Sequence, residues 1–200
     1  MAGLPLEQRK ANATRRAHDQ KHESVAWFGD STYGIVGFLY NPNIPVGNAI
    51  TGGWASATAL EIVADMMDCV DKVNSQSLGI EVANMLLVPL KFWGKLTGTV
   101  MQTGSDTTIL QFFRNNRPGV MVDYVNQLDD IAPLPSGGAG PGDIMVAYDR
   151  SPDALTLEIP MRYTALPPES RNLEQVVNTV STVAGVLVYY PLAAKITENL

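Results

Sequence analysis

The feature that most constrains the fold is a continuous stretch of helix-forming residues from Leu6 to Trp27. The stretch contains no glycine or proline, and Gly29 follows it as a natural stop. A helix of about 22 residues is roughly 33 Å long. Its charged faces leave only a narrow row of small or apolar side chains, namely Leu6, Ala13, Ala17 and Ser24. This pattern predicts a long strut that lies against a sheet, because such a helix cannot build a core by itself.

A second helix is predicted where an amphipathic pattern begins at Thr58. Thr58 and Glu61 have the spacing of a capping box, in which the two side chains satisfy backbone N–H groups of the first turn. Apolar residues then recur at intervals of three and four up to Val73, with acidic residues on the opposite side. This helix is expected to bury one face. Two shorter helices are predicted at Pro89–Leu96 and Thr107–Asn116, the second capped by Ser105 or Asp106.

The rest of the chain is predicted to form loops and strands. Residues 29–53 are interrupted by glycine and proline and show no regular period, but their apolar side chains predict a loop that packs against the body. Short apolar runs and alternating patterns predict the strands Met85–Val88, Val120–Val125, Ile144–Tyr148, Leu155–Ile159, Leu173–Val183 and Gly185–Tyr190. Helices that come first, followed mostly by strands, indicate an α+β fold and not a regular βαβ array.

The net charge of −6 is unevenly distributed along the chain. Residues 1–30 carry five basic and four acidic side chains, so residues 31–200 hold the acidic excess. An acidic body argues against a dedicated nucleic-acid-binding protein, which needs a basic face to neutralise phosphates. The apolar runs are shorter than the roughly 20 residues that span a bilayer. The first ten residues are charged where a secretory signal would be apolar. We therefore expect neither a membrane protein nor an exported one.

The sequence does not match the common catalytic motifs. It has no nucleophile elbow, P-loop, dinucleotide-binding glycine motif or zinc-protease motif. The glycine-rich segment 137–142 lacks the Lys-Ser/Thr ending that would cradle a phosphate, and it is interpreted as a hairpin tip. We predict no catalytic, cofactor-binding or metal-binding residues, and no enzyme.

Two pairs of side chains have the potential for site chemistry. His18 and His22 stand four residues apart on the first predicted helix, which is the spacing of two metal ligands. The chain has no further histidine and no obvious third ligand, so we expect a solvated helix face. Asp129 and Asp130 form an adjacent carboxylate pair, which usually faces solvent when it lies on a loop.

Three further features are assigned structural interpretations. The single cysteine, Cys69, lies in an apolar helical pattern and is predicted to be a small buried side chain. The glycosylation-like triplet Asn12-Ala13-Thr14 lies inside a predicted helix and is discounted. The tryptophans are predicted to pack in the core or at a subunit interface, because no basic residues interleave them as a base-stacking platform would need. They are Trp27, Trp54 and Trp93.

Several sequence blocks are familiar in their order and spacing, although none is a catalytic fingerprint. They are Ala26-Trp27-Phe28-Gly29-Asp30, Tyr33–Ile44, Met85–Pro89, Thr108–Phe113, Met145–Arg150, Leu155 with Leu157 and Ile159-Pro160-Met161, Leu166-Pro167-Pro168, Gly185–Val188 and Tyr190-Pro191. Together they cover nearly the whole chain. On these blocks the chain resembles the major capsid proteins of tailed bacteriophages.

The resemblance implies the phage capsid fold, which encapsulins share. This fold is α+β, with a long spine helix on a peripheral sheet and an axial α/β domain. Residues 1–54 would supply the spine helix and the following loop of the peripheral domain. Residues 55–150 would form the axial domain, and residues 151–200 the strands that return to the peripheral domain.

The same resemblance implies a function. The chain would be a structural subunit of an icosahedral capsid, self-assembling into hexamers and pentamers around packaged DNA. Its partners would be further copies of itself, other virion proteins and, weakly and non-specifically, the packaged DNA, with no membrane. Its location would be the virion capsid, assembled in the host cytoplasm.

The chain departs from the family pattern in one respect, and two other interpretations stay open. Family members usually carry an N-terminal arm and an extended loop before the spine helix, whereas this chain starts almost at that helix. A truncated product or a short relative is therefore expected, and assembly of a complete shell by this chain alone is left open. The alternatives are an encapsulin-like compartment and a small α/β enzyme, for which the sequence offers no nucleophile with a partner.

Overall fold

The computed structural model describes residues 6–104, 106–135, 137, 142–172 and 174–200. Contacts between Cα atoms divide the chain into two compact units. The first unit comprises Met1–Tyr40 and Thr156–Leu187, and the second comprises Asn41–Leu155 and Val188–Leu200.

The helices of the described residues are α1 (Leu6–Phe28), α2 (Ala59–Gln76), α3 (Leu90–Gly98) and α4 (Ile109–Asn116). The strands are β1 (Gly29–Asp30), β2 (Ile35–Val36), β3 (Val46–Asn48), β4 (Met85–Pro89), β5 (Met121–Val125), β6 (Met145–Tyr148), β7 (Leu155–Glu158), β8 (Met161–Ala165), β9 (Glu169–Arg171), β10 (Glu174–Val176), β11 (Thr179–Thr182), β12 (Gly185–Val188) and β13 (Ala194–Glu198). Short 3-10 helices cover Asn126–Leu128 and Pro191–Ala193. The predicted α+β class is confirmed.

The first unit consists of α1 and a set of two-stranded antiparallel ribbons. The long helix is confirmed and ends one residue later than predicted. β1 pairs with β2, β7 with β12, β8 with β11 and β9 with β10. β8 to β11 form one extended hairpin, whose tip is at Asn172 with a positive φ of 48°. Most residues of this hairpin are exposed, so the unit buries little apolar surface.

The second unit is built on a five-stranded sheet with the order β3-β13-β6-β4-β5. β6 runs antiparallel to both of its neighbours, while the two outer pairs, β3 with β13 and β4 with β5, are parallel. α2 packs on β6 and β13 with Ile62, Met66, Cys69 and Val73. β4, β6 and β13 are buried almost throughout, which places the core of this unit between the sheet and its helices.

Capping boxes start two helices of the second unit, α2 and α4. The predicted box of Thr58 and Glu61 is confirmed at the start of α2. The predicted cap of α4 is wrong: Thr108 caps this helix, reciprocally with Gln111. The helix begins later than expected because Thr108 is still extended and forms an antiparallel bridge with Val100, while the carbonyl of Thr107 accepts the N–H of Met101.

The units are bounded differently from the predicted segments 1–54, 55–150 and 151–200. Residues 41–54 and 188–200 belong to the second unit. The reason is that β3 and β13, neither of which was predicted, pair with each other inside its sheet. β13 alternates the apolar Ala194 and Ile196 with the polar Lys195 and Thr197, yet it is buried on both faces.

The C-terminal end of α1 is capped by backbone hydrogen bonds from the segment that follows β2. After β2 the chain turns back, and the N–H groups of Phe38 and Leu39 donate to the carbonyls of Ala26 and Trp27 at 2.8 and 3.1 Å. These bonds satisfy carbonyls that a helix end leaves without a partner. At Gly37 a Cβ would overlap the backbone of the last helical turn, so only glycine fits there.

We expect Gly37→Ala to lower the free energy of unfolding by about 3 kcal/mol or more, because the backbone at the end of α1 would have to move. Urea denaturation measures the change from the midpoint at constant slope. Gly34→Ala is the matched control, because Gly34 has a positive φ of 68° but open space around its Cα. It should cost only about 1 kcal/mol from backbone strain. Equal losses in the two variants would contradict the contact explanation.

Candidate interaction surface

The loop between α2 and β4 presents apolar side chains to solvent. Leu78 is 91% exposed and Ile80 is 80% exposed, and Val82 is more than half exposed. Leu78 has a φ of +56°, an uncommon conformation for a residue other than glycine. Backbone strain of this kind is often found where a loop has a functional role. We call Leu78–Val82 the apolar loop.

Ser77 holds the apolar loop in place. Its hydroxyl accepts the N–H of Glu81 at 2.9 Å and lies 3.1 and 3.2 Å from the carbonyls of Asn74 and Glu81, to which it can donate. The Ser77 side chain is itself buried. The exposure of Leu78 and Ile80 therefore follows from a fixed loop geometry.

The apolar loop separates two clefts of the second unit. On one side lies an apolar cleft of about 260 Å³, lined by Ser77, Ile80, Glu81, Tyr190, Pro191 and Leu192. On the other side lies a polar cleft of about 620 Å³, whose polar side chains are Asp71, Asn74, Glu81, Asn84, Asn116, Arg117 and Asp149. Ile80 and Glu81 line both clefts. Tyr190 and Leu192 extend the exposed apolar area beyond the loop.

The polar cleft is held by side-chain hydrogen bonds. The Asn84 amide donates to Asp149, and its carbonyl oxygen accepts the N–H of Arg150 at 2.7 Å. Arg117 pairs with both carboxylate oxygens of Asp71. Because Asp71 and Arg117 are substantially exposed, this ion pair contributes little stability, and its groups are accessible to a partner. The apolar loop lies beside these charged groups. Apolar side chains surrounded by polar and charged ones are typical of protein–protein interfaces.

The histidines were predicted incorrectly to lie on a solvated helix face. His18 contacts two hydroxyls of β11, with Nδ1 at 2.6 Å from Ser181 Oγ and Nε2 at 3.0 Å from Thr179 Oγ1. His22 Nε2 lies 2.9 Å from the same Ser181 oxygen, and the His18 ring meets Tyr163 edge-on at 5.3 Å. Both histidines therefore attach α1 to the ribbon of β8 and β11. The sequence could not show this, because the hydroxyls lie about 160 residues away along the chain.

The acidic pair and the cysteine mostly follow the predictions. Asp130 is exposed, 3.9 Å from the ammonium of Lys91. Asp129 is half-buried and accepts the N–H of Lys91 in the first turn of α3, so it has a structural role that was not predicted. Cys69 is buried as predicted, and burial raises the pKa of its thiol to about 11, which makes it unreactive.

The tryptophans pack with other aromatic rings in the two units. Trp54 is buried against Phe92 in the core, while the partly buried Trp93 and Trp27 contact Tyr124 and Phe38. The predicted packing role is confirmed for Trp54. The glycine-rich tip lies largely outside the described residues, which include only 137 and 142 of that segment.

The described residues contain neither a metal-ligand cluster nor a membrane-spanning helix. No three histidine, cysteine or acidic side chains converge there as metal ligands do. None of the helices in that part of the chain is long and apolar enough to cross a membrane.

The profile of the major capsid protein family matches residues 1–197. A comparison with curated protein sequences gives no match.

Three solved structures share the fold at low sequence identity. The capsid of Myoviridae phage XM1 is 17% identical over 98% of this chain and 66% of its own, with a TM-score of 0.84. A structure from Mycobacterium phage Che8 is 16% identical over 96% of this chain and 63% of its own, with a TM-score of 0.56. The virus-like particle of Pyrococcus furiosus is 14% identical over 89% of this chain and 63% of its own, with a TM-score of 0.55. The chain therefore spans slightly less than two thirds of each of these proteins.

We expect Ser77→Ala to destabilise the protein by about 1–2 kcal/mol, because the N–H of Glu81 loses its acceptor. The same variant should speed hydrogen exchange at the Glu81 amide. Ser75→Ala is the matched control, because Ser75 is exposed and its hydroxyl donates to the carbonyl of Lys72 in its own helix. Unchanged exchange at Glu81 in Ser77→Ala would show that the serine does not hold the loop.

Proposed function

The chain belongs to the major capsid protein family, and on this premise we propose that it is a structural subunit of a bacteriophage icosahedral capsid. Copies of the chain assemble into hexamers and pentamers around packaged DNA, together with other virion proteins. Assembly takes place in the host cytoplasm, and the product is part of the virion. The role is structural and not enzymatic.

The observation that carries the proposal is the exposed apolar loop beside its two clefts. Large apolar side chains such as Leu78 and Ile80 lose contact with water when a second copy covers them, and this burial favours association. Charged groups at the edge of the same surface, including Asp71 and Arg117, give the contact its orientation. The polar cleft contains no matched nucleophile and base, so it supports a binding role better than catalysis.

The two units correspond to the two domains of the proposed fold. The first unit, with α1 against its β-ribbons, is the peripheral domain, and α1 is the spine helix. The second unit, with the five-stranded sheet and α2, is the axial domain. The little apolar surface buried in the first unit supports this assignment, because a peripheral domain gains stability from neighbouring copies.

An encapsulin-like compartment is the less favoured reading. The matching family is that of major capsid proteins. The virus-like particle of Pyrococcus furiosus is similar in fold at a TM-score of 0.55, against 0.84 for the capsid of phage XM1.

Light scattering and negative-stain microscopy of the purified chain test the assembly. We expect rings of five or six copies, or closed shells, for the wild-type protein. Ile80→Glu should give only monomers, because it places a charge in the contact that the apolar loop makes.

Leu60→Glu is the matched control for the assembly experiment. Leu60 is an exposed apolar residue at the opposite end of α2, and its replacement should leave the particles unchanged. If Ile80→Glu assembles like the wild-type protein, the apolar loop is not the contact. A wild-type protein that stays monomeric would contradict self-assembly of this chain.

Contact with DNA is expected to be weak and non-specific. The second unit carries seven basic and thirteen acidic side chains, so it repels phosphates over most of its surface. Filter retention of duplex DNA at about 150 mM salt should therefore stay near background. Tight retention under these conditions would contradict the proposed weak contact with packaged DNA.

A further inference from the structure

Lys195 lies where a lysine is uncommon. It is on β13, between β3 and β6 in the sheet of the second unit, and only 7% of its surface is exposed. It shares a sheet face with Thr197, because side chains alternate along a strand. Their partners in register on β6, Ala147 and Met145, lie in the core beneath α2, so Lys195 also faces that helix. Lysine is almost never buried in this way unless its charge is paired.

The ammonium of Lys195 has no hydrogen bond or ion pair with any described residue. Asp68 is the acidic side chain of α2 whose charge reaches it, but Asp68 binds Lys72 at 2.6 Å. Burial lowers the pKa of Lys195, and the positive charge of Lys72 lowers it further. Two lysines thus interact with one carboxylate.

The amine of Lys195 lies beside the edge strand of the sheet. A Cβ on Gly47 would lie 2.8 Å from Lys195 Nζ, so the ammonium lies over the backbone of β3. β3 is an edge strand of the sheet, which a ligand can approach from the side. The glycine leaves the space that the end of the lysine side chain occupies.

We propose that Lys195, with Lys72 beside it, binds an oxyanion at the β3 edge of the sheet. The oxyanion is a carboxylate or a phosphate, which accepts the N–H bonds that the ammonium does not make within the chain. A charge-assisted bond of this kind is strong because both groups are poorly hydrated once the anion is bound. The anion comes from a side chain of a second copy or from solution. The site exists whether or not the chain forms a capsid.

Thermal denaturation in phosphate and in chloride, at matched ionic strength, tests the site. We expect phosphate to raise the Tm of the wild-type protein by about 2–4 °C relative to chloride, because a ligand of the folded state stabilises it. Lys195→Met should lose this increment. Its own Tm in chloride should not fall, because a buried unpaired charge is removed.

Lys10→Met is the matched control, since it removes the same charge from an exposed position on α1. It should keep the full phosphate increment. An equal increment in the wild-type protein and in Lys195→Met overturns the proposal, and so does the absence of any increment in the wild-type protein.

A measurement on the wild-type protein alone covers the case in which Lys195→Met does not fold. The anion binds the charged amine, whose pKa is lowered in the free protein. Phosphate should therefore stabilise most at pH values below that pKa, and the increment should vanish as pH rises through it. An increment that is constant into the alkaline range overturns the proposal.

Sedimentation distinguishes the two sources of the anion. If a carboxylate of a second copy fills the site, phosphate competes with it and lowers the sedimentation coefficient, and Lys195→Met associates less. If the anion comes from solution, association is unchanged while the Tm still rises. Either result supports the site, whereas a phosphate effect on association that persists in Lys195→Met contradicts it.

Discussion

The packing of α2 on the five-stranded sheet is the interaction on which the second unit depends. One face of α2 is apolar, and β6 and β13 beneath it are buried almost throughout. A sheet covered in this way excludes water from its central strands, so their backbone groups must pair within the sheet. The strand order that meets this requirement brings β13, from the last residues of the chain, next to β3. It also sets the positions of both clefts, because the apolar loop starts where α2 ends.

Two buried ionisable residues of this unit differ in whether their charged groups have hydrogen-bond partners. Asp65 is 1% exposed, and its carboxylate accepts three hydrogen bonds, from the N–H of Ile50 at 2.8 Å, from Thr51 Oγ1 and from Trp54 Nε1 at 2.9 Å. It is satisfied and holds the loop before α2 in place. Lys195 is nearly as buried, yet its ammonium has no such partner in the part of the chain that the structure describes. The first arrangement stabilises the fold, while the second leaves charge available for a ligand.

The first unit is stabilised by different interactions, because it has little apolar surface to bury. α1 is polar on most faces, and the hairpin of β8 to β11 is largely exposed. Directional contacts take the place of a core: His18 and His22 bind Ser181, and the chain after β2 satisfies the end of α1. An isolated two-stranded ribbon is marginally stable in water. A unit of this kind gains from further burial between copies, in agreement with the proposed assembly.

The sequence by itself determined the features that depend on neighbours along the chain. α1 follows from an uninterrupted run of helix formers, α2 from a capping box and a period of 3.6, and β4 from a short apolar run. Tertiary structure decided what depends on distant partners. β3 and β13 exist because they pair across about 150 residues, and His18 is half-buried because Ser181 lies opposite it. The sequence likewise did not predict the exposure of Leu78–Val82 or the unpaired charge of Lys195. Exposure and pairing are set by packing in three dimensions, whereas sequence periodicity reports only local structure.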